Sequence, residues 1–274
     1  MLFGYQAVYD SSWFDAIEYA AQNRFDYVSF DLNVPRFYID SLSQSELERI
    51  RKYAEDMGVG LAFHTPGDNI SLFSDYPAIR KGILEHFSAI IDAAEYLNAR
   101  HVTIHPGAYP SLKQVNKTED DFIAQYQDYF SDVLYENLLH LANRTRNVFL
   151  CIENFHFTAL TRNTVDRVLS ESDRLFLTWD IAKTYDKKGE IDEAVEDYMQ
   201  KHIDRLREIH AHDIIKGFRS HQIIGDGSID FQKHLEVMKH PNVAVTIEVR
   251  PREAATISRD RLVSLLHPNV IAHS

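Results

Sequence analysis

The sequence predicts an α/β fold, a (β/α)8 or TIM barrel formed as a single domain over residues 1–274. Three observations lead there. Eight short, apolar, β-rich runs recur along the chain, and each is followed by a segment with helical apolar spacing. The runs are nearly continuous in their hydrophobicity, the pattern of parallel strands buried on both faces. No Pro/Ser-rich linker, low-complexity tract or charge block interrupts the alternation. Strand–helix alternation implies right-handed parallel crossovers, and eight such units in about 250 residues close into a barrel. An open doubly wound sheet is the competing architecture. It would carry a phosphate-binding glycine pattern after the first strand, and YQAVYDSS contains no glycine.

The elements follow in order. Residues 3–8 form the first strand. Ser11 or Ser12 caps the amphipathic segment WFDAIEYAAQN by accepting hydrogen bonds from free backbone N–H groups. Residues 27–31 are the second strand. Either Ser43 with Glu46 or Ser45 with Glu48 has capping-box spacing before the next helix, and Gly58 stops it. Residues 60–64 are the third strand. Ile83, Phe87, Ile90, Ile91 and Ala94 recur at helical spacing within 78–97. Residues 101–105 are the fourth strand, followed by a longer loop and a helix over 119–144. Residues 148–153 are the fifth strand, with a short helix over 164–169. Residues 175–180 are the sixth, with a polar loop over 183–190 and a helix reaching residue 203. Residues 206–213 are the seventh. A glycine-punctuated loop, KGFRSHQIIGDGS, precedes a helix near 231–239. Residues 243–249 are the eighth strand and 253–266 the last helix; the tail HPNVIAHS is loosely held.

Composition narrows the function classes. The 274 residues are 45% hydrophobic, ample for a core, and 29 basic against 41 acidic residues give a net charge of −12. That balance supplies no overall attraction to nucleic acid or an anionic membrane, so neither is an expected partner. Cys151 is the only cysteine, which excludes an internal disulfide and thiolate zinc clusters. Within VFLCI it reads as a small core hydrophobe. The N-terminus lacks a basic segment followed by a long apolar one, and no run approaches the roughly 20 residues of a membrane span. A cytoplasmic protein is expected. The sequence leaves homo-oligomerisation open.

Six of the strand-like runs carry an imidazole or carboxylate near the C-terminal end: His64, His105, Glu153, Asp180, His210 and Glu248. In a barrel those ends form the active face. Alone, each has a plain reading: a hydrogen-bonded histidine, an aspartate capping the next turn, a glutamate paired with Arg250. A lone Glu closing the VFLCIE run is nevertheless costly unless ionised against a cation or paired. Six such residues at one position of the repeated unit point to a shared metal site, and imidazole with carboxylate suits zinc, manganese or iron. His212 lies two residues beyond His210 and so faces the same side, where it supports a ligand or touches substrate. Asp213 faces away and caps the next turn or orients an imidazole. Asn154 and Arg250 are candidates for substrate contact, and Phe155, His156 and Phe157 for a pocket wall. Trp179 reads as packed behind the barrel rather than stacking on a sugar.

FHTPGDNISL at His64, IHPG at His105, IEN at Glu153, WD at Asp180, IHAHD at His210, HQIIGDGSIDF from His221 and IEVRP at Glu248 together resemble the xylose isomerase-like TIM-barrel superfamily. That superfamily includes sugar isomerases and epimerases and the endonuclease IV class of apurinic-site nucleases. The resemblance spans essentially the whole chain. It implies a first metal held by Glu153, Asp180, His210 and Glu248, and, as in the nucleases, a second held by His64, His105 and Glu153. A third nuclease metal uses the histidine of D-x-x-H and the pair of D-x-H. Here Lys183 and Arg219 replace two of those three ligands and only His221 remains.

The resemblance therefore implies a metal-dependent isomerase or epimerase acting on a sugar or sugar phosphate. Glu153 and Glu248 would exchange the proton on the carbon beside a polarised carbonyl. The cofactor implied is a divalent ion, manganese or zinc, one or two per chain. His221, Lys183, His212, Lys216, Arg219, Arg250 and Asn154 are the residues expected around a small sugar-like substrate, the three cations Lys183, Lys216 and Arg219 suiting an acidic or phosphorylated one. The alternative is a dinuclear hydrolase or endonuclease IV-like nuclease acting at abasic sites.

Overall fold

A computed structural model of the protein describes residues 1–67, 70–109, 115–116, 119–186, 189–215 and 219–266, with the backbone alone at 119–123 and 219. Eight parallel strands close into a barrel. They are β1 (Leu2–Ala7), β2 (Tyr27–Asp31), β3 (Gly60–His64), β4 (His101–Ile104), β5 (Phe149–Glu153), β6 (Leu175–Asp180), β7 (Leu206–Ala211) and β10 (Ala244–Ile247). Their order around the barrel is β1-β10-β7-β6-β5-β4-β3-β2. The outer ring is α1 (Trp13–Gln22), α2 (Gln44–Met57), α3 (Pro77–Tyr96), α4 (Glu119–Ala142), α5 (Ala159–Glu171), α6 (Glu193–Lys201), α7 (Leu235–Met238) and α8 (Arg252–Leu266). Among the described residues no helix is long and apolar enough to cross a membrane.

Local chemistry sets the helix ends. Ser12 accepts the Asp15 N–H at 3.1 Å and caps α1. Of the two capping-box candidates, Ser43 with Glu46 forms at α2, and Gly58 ends the helix in the left-handed region at φ 67°. α5 starts earlier than apolar spacing indicated. Thr158 caps it, and its first buried positions are Thr161 and Thr164, which a hydrophobicity pattern does not register. α7 is a single turn following a 3-10 turn over Phe231–His234.

The seventh strand is shorter than expected. β7 stops at Ala211, and the chain continues through His212 into an antiparallel hairpin of β8 (Asp213–Ile215) and β9 (Arg219–Gln222). Asp213 explains the break. Its buried carboxylate accepts the N–H groups of Ile214 (2.9 Å), Gly225 (2.9 Å), Gly227 (3.0 Å) and Ile229 (3.0 Å). A Cβ on Gly227 would sit 2.2 Å from Asp213 Oδ1, so the G-x-G spacing leaves room for this carboxylate. Asp213 thus caps a turn, one of its two expected roles.

The apolar core lies between the strands and helices. Trp13, Phe30, Phe37 and Phe63 pack ring against ring there, and Trp179 is fully buried with Nε1 donating to Thr184 Oγ1 at 2.8 Å. Inside the barrel the side chains turn polar. Alternation along each strand turns His101, Thr103, Thr178, Glu208 and Thr246 into the barrel, all buried, beneath the strand ends.

Candidate metal centre at the strand ends

Glu153 and Asp180 are the last residues of β5 and β6, and His64 is the last of β3. His105 and Glu248 directly follow β4 and β10, and His210 is the penultimate residue of β7. Asp180 pairs in register with His210 across β6 and β7. All six side chains are buried. Oε2 of Glu153 is the centre of the arrangement: His105 Nε2 lies 2.9 Å away, His64 Nε2 3.1 Å and His210 Nδ1 3.5 Å. His210 Nδ1 is also 3.4 Å from Glu248 Oε1. Ligand atoms of Glu153, Asp180 and His210 lie within 4.8 Å of one another, as do those of His64, His105 and Glu153, and of His64, His210 and Glu248. The six strand ends are thus brought together at one place.

The chemistry of this donor set fits a divalent cation. His210 Nδ1 is buried and has no hydrogen-bond partner among the described residues, yet faces two carboxylates. His64 Nδ1 contacts the Thr65 carbonyl and Nε2 the Glu153 carboxylate, each at 3.1 Å; both partners only accept, so the ring donates from both nitrogens, and although burial opposes its charge, Glu153 and Glu248 raise its pKa. Burial opposes ionisation of Glu153, but Lys183, His105 and His210 outweigh it and hold the carboxylate well below its ordinary pKa. Burial likewise opposes the charge on His210, and Glu248, Glu208 and Glu153 together push its pKa up to about 10. Such a surplus of negative charge, out of reach of water, is what a metal ion neutralises.

Asp180 performs two tasks. Oδ1 accepts the N–H groups of Ala182 (2.9 Å) and Lys183 (3.3 Å), capping the turn after β6. Oδ2 faces Lys183 Nζ at 3.1 Å and His212 Nε2 at 3.4 Å. Lys183 also contacts Glu153 Oε1. It therefore lies among the carboxylates rather than free at the mouth.

The expected substrate-side residues divide. Asn154, Lys183, His212 and His221 border a cleft of about 830 Å³ whose walls include Phe155 and His156. His221 donates its backbone N–H to His212 Nδ1 at 3.0 Å, and its own Nδ1 lies 2.9 Å from the Glu248 carbonyl. The Asn154 amide is committed at both ends: Nδ2 donates to the Asp180 carbonyl (2.9 Å) and Oδ1 accepts the Asp180 N–H (2.7 Å). Arg250 contacts Gln6 and lies 3.8 Å from Asp31 Oδ2, away from the cleft lining. Lys216 and the side chain of Arg219 lie outside the described residues.

Three participants escaped sequence reasoning. Gln6 donates to Glu248 Oε1 at 2.8 Å. Glu208 lies 3.2 Å from His210 Nε2, and His101 lies 2.8 Å from Glu208. A signal existed for two of them. Glu208 is two residues before His210, and His101 heads the His101–Thr103–His105 alternation.

The chain matches the family described as xylose isomerase-like TIM barrel over residues 17–264, and it belongs to that family. Solved structures extend the likeness. A D-tagatose 3-epimerase-like protein superposes with a TM-score of 0.77 at 22% identity, covering 98% of both chains. A Thermus thermophilus protein studied after soaking with zinc chloride gives 0.74 at 17%, covering 98% of this chain and 99% of its own. Endonuclease IV from the same organism gives 0.71 at 15%, covering 98% and 100%. At these identities the likenesses carry the fold; both sugar-epimerase and nuclease chemistry occur on it.

Proposed function

We propose that the protein is a metal-dependent isomerase or epimerase of a sugar or sugar phosphate, with Glu153, Asp180, His210 and Glu248 holding the ion. One observation carries the reading: His210 Nδ1, without a hydrogen-bond partner among the described residues, faces Glu153 at 3.5 Å and Glu248 at 3.4 Å. A bound ion would polarise a substrate carbonyl or hydroxyl. The rest falls to the chain's own residues. Glu153 and Glu248 flank the same point from β5 and from the end of β10, so a sugar carbon seated between them meets a carboxylate on each side. One takes the proton and the other returns it. Gln6 holds Glu248 through Oε1, and His64 and His105 hold Glu153 through Oε2. Lys183 and His212 border the cleft, which supports a role for them in orienting substrate oxygens. Lys183 also favours one ion over a cluster, because its ammonium already contacts Glu153 and Asp180.

The test is a screen of ketoses and ketose phosphates with manganese in deuterated water. Product formation with deuterium at the exchanged carbon is expected; absence of exchange for every sugar, with ion bound, contradicts the reading. The His64–His105–Glu153 group favours a second reading, a dinuclear hydrolase acting on a phosphodiester. Two zinc ions per chain and incision of an abasic duplex would make it the better one.

A further inference from the structure

Beneath the strand ends the barrel holds a carboxylate that the mechanism above does not use. Alternation along β7 turns Glu208 and His210 to the same inner face. Glu208 is fully buried, with Oε1 2.8 Å from His101 Nε2 and Oε2 3.2 Å from His210 Nε2. Hydroxyls from three other strands saturate it: Thr103 of β4, Thr178 of β6 at 3.1 Å and Thr246 of β10. Tyr27 of β2 continues the layer by bonding to Thr246 at 2.7 Å. The His210 ring stands upright between two levels. Nε2 faces down to Glu208, and Nδ1 faces up to Glu153 and Glu248.

An ionised carboxylate only accepts hydrogen bonds, and Glu208 stands nearer Nε2 (3.2 Å) than Glu153 (3.5 Å) or Glu248 (3.4 Å) stands to Nδ1, so Nε2 keeps its proton when an ion takes the place of the one on Nδ1. We propose that Glu208 is a positioning residue of the metal centre: it holds His210 in the Nε2–H form, with the Nδ1 lone pair aimed at the ion. This rests on the metal reading given above. Glu208 never touches substrate. It is locked by three hydroxyls and by His101, so it defines both the tautomer and the tilt of the ring. A carboxylate behind a ligating histidine raises the ligand's basicity, and its loss weakens metal binding on the order of 10–100-fold.

The experiment compares wild type, Glu208→Gln and Glu153→Gln by zinc titration against a chromophoric chelator, with the visible spectrum of the cobalt(II) form as a second readout. Wild type is expected to bind, and Glu153→Gln to lose binding. Glu208→Gln is expected to bind on the order of 10–100-fold more weakly with an altered cobalt spectrum, because a glutamine N–H can turn to Nε2 and favour the opposite tautomer. Equal affinity and an unchanged spectrum in Glu208→Gln, whatever its melting temperature, overturn the role of Glu208 alone. No ion bound by wild type overturns the metal reading itself. If Glu208→Gln does not fold, nitrogen-15 NMR of zinc-loaded wild type decides: Nδ1 coordination with a protonated Nε2 supports the proposal, and Nε2 coordination overturns it.

Discussion

The Lys183 ammonium lies 3.1 Å from Oδ2 of Asp180, three residues back in the chain, and also contacts Oε1 of Glu153. Burial opposes its charge, but Glu153, Asp180 and Glu248 outweigh burial and raise its pKa above the ordinary lysine value. The lysine is a tethered partial neutraliser of the carboxylate cluster. Lys183→Met should therefore destabilise the ion-free protein by about 2 kcal/mol, since it leaves buried carboxylates short of a partner. Manganese should restore more stability to this variant than to wild type. Thermal melts in EDTA and in manganese check this; an equal manganese response in both proteins contradicts it.

Glu153 belongs to two of the groups whose ligand atoms lie close enough to hold an ion, the one with Asp180 and His210 and the one with His64 and His105. Glu153→Gln keeps the shape and removes the charge. Turnover should fall by at least about 10³-fold under either reaction, while the far-UV circular dichroism stays that of the wild type. Full activity in this variant would falsify the assignment.

Asn154 ties the end of β5 to β6 through both ends of its amide. Asn154→Ala removes the acceptor of the buried Asp180 N–H and the donor to the Asp180 carbonyl, which keeps a longer 3.5 Å bond from Thr184 Oγ1, at a cost of about 2 kcal/mol. A lower urea midpoint with an unchanged denaturant slope is the expected result. An unmoved midpoint would show that the clamp is dispensable.

His234 is buried edge-on against Trp179, with rings 5.5 Å apart and, among the described residues, no hydrogen-bond partner at either nitrogen. Burial first, with help from Lys233 and against Asp230, lowers its pKa to about 4. The unfolded chain, with an ordinary imidazole, takes up a proton first as pH falls below about 6.5. Stability present at pH 7 is therefore lost on the way down to about pH 4, by about 2 kcal/mol between pH 7 and pH 5. His234→Phe should remove that part of the slope. Urea unfolding of both proteins at pH 7 and pH 5 measures it; parallel losses would contradict the assignment.

Much of this molecule was legible from local patterns. Nearly continuous apolar runs, each followed by helical apolar spacing, located all eight barrel strands, and the recurrence of a ligating type at strand ends singled out His64, His105, Glu153, Asp180, His210 and Glu248. What failed did so for definable reasons. β7 was drawn through Asp213, although that carboxylate gathers N–H groups from as far as Ile229 and so belongs to a turn. The contacts of Lys183 with Asp180 and Glu153 have no mark in the sequence, because a lysine in a polar loop looks the same whether it meets a substrate or a buried carboxylate. His101 has no local sign of its role, because the glutamate it faces lies 107 positions later on another strand.

Strand, helix and cap preferences depend on neighbours a few residues apart, so the sequence by itself determined the barrel and the set of groups delivered to its rim. Closure of the sheet decided which of them meet. It brings Gln6 to Glu248 across 242 positions and lays Glu208 under His210 within a shell of threonines from three strands. Only tertiary structure could do this, because a buried polar group gains its partners from whichever strands the closed barrel sets opposite it.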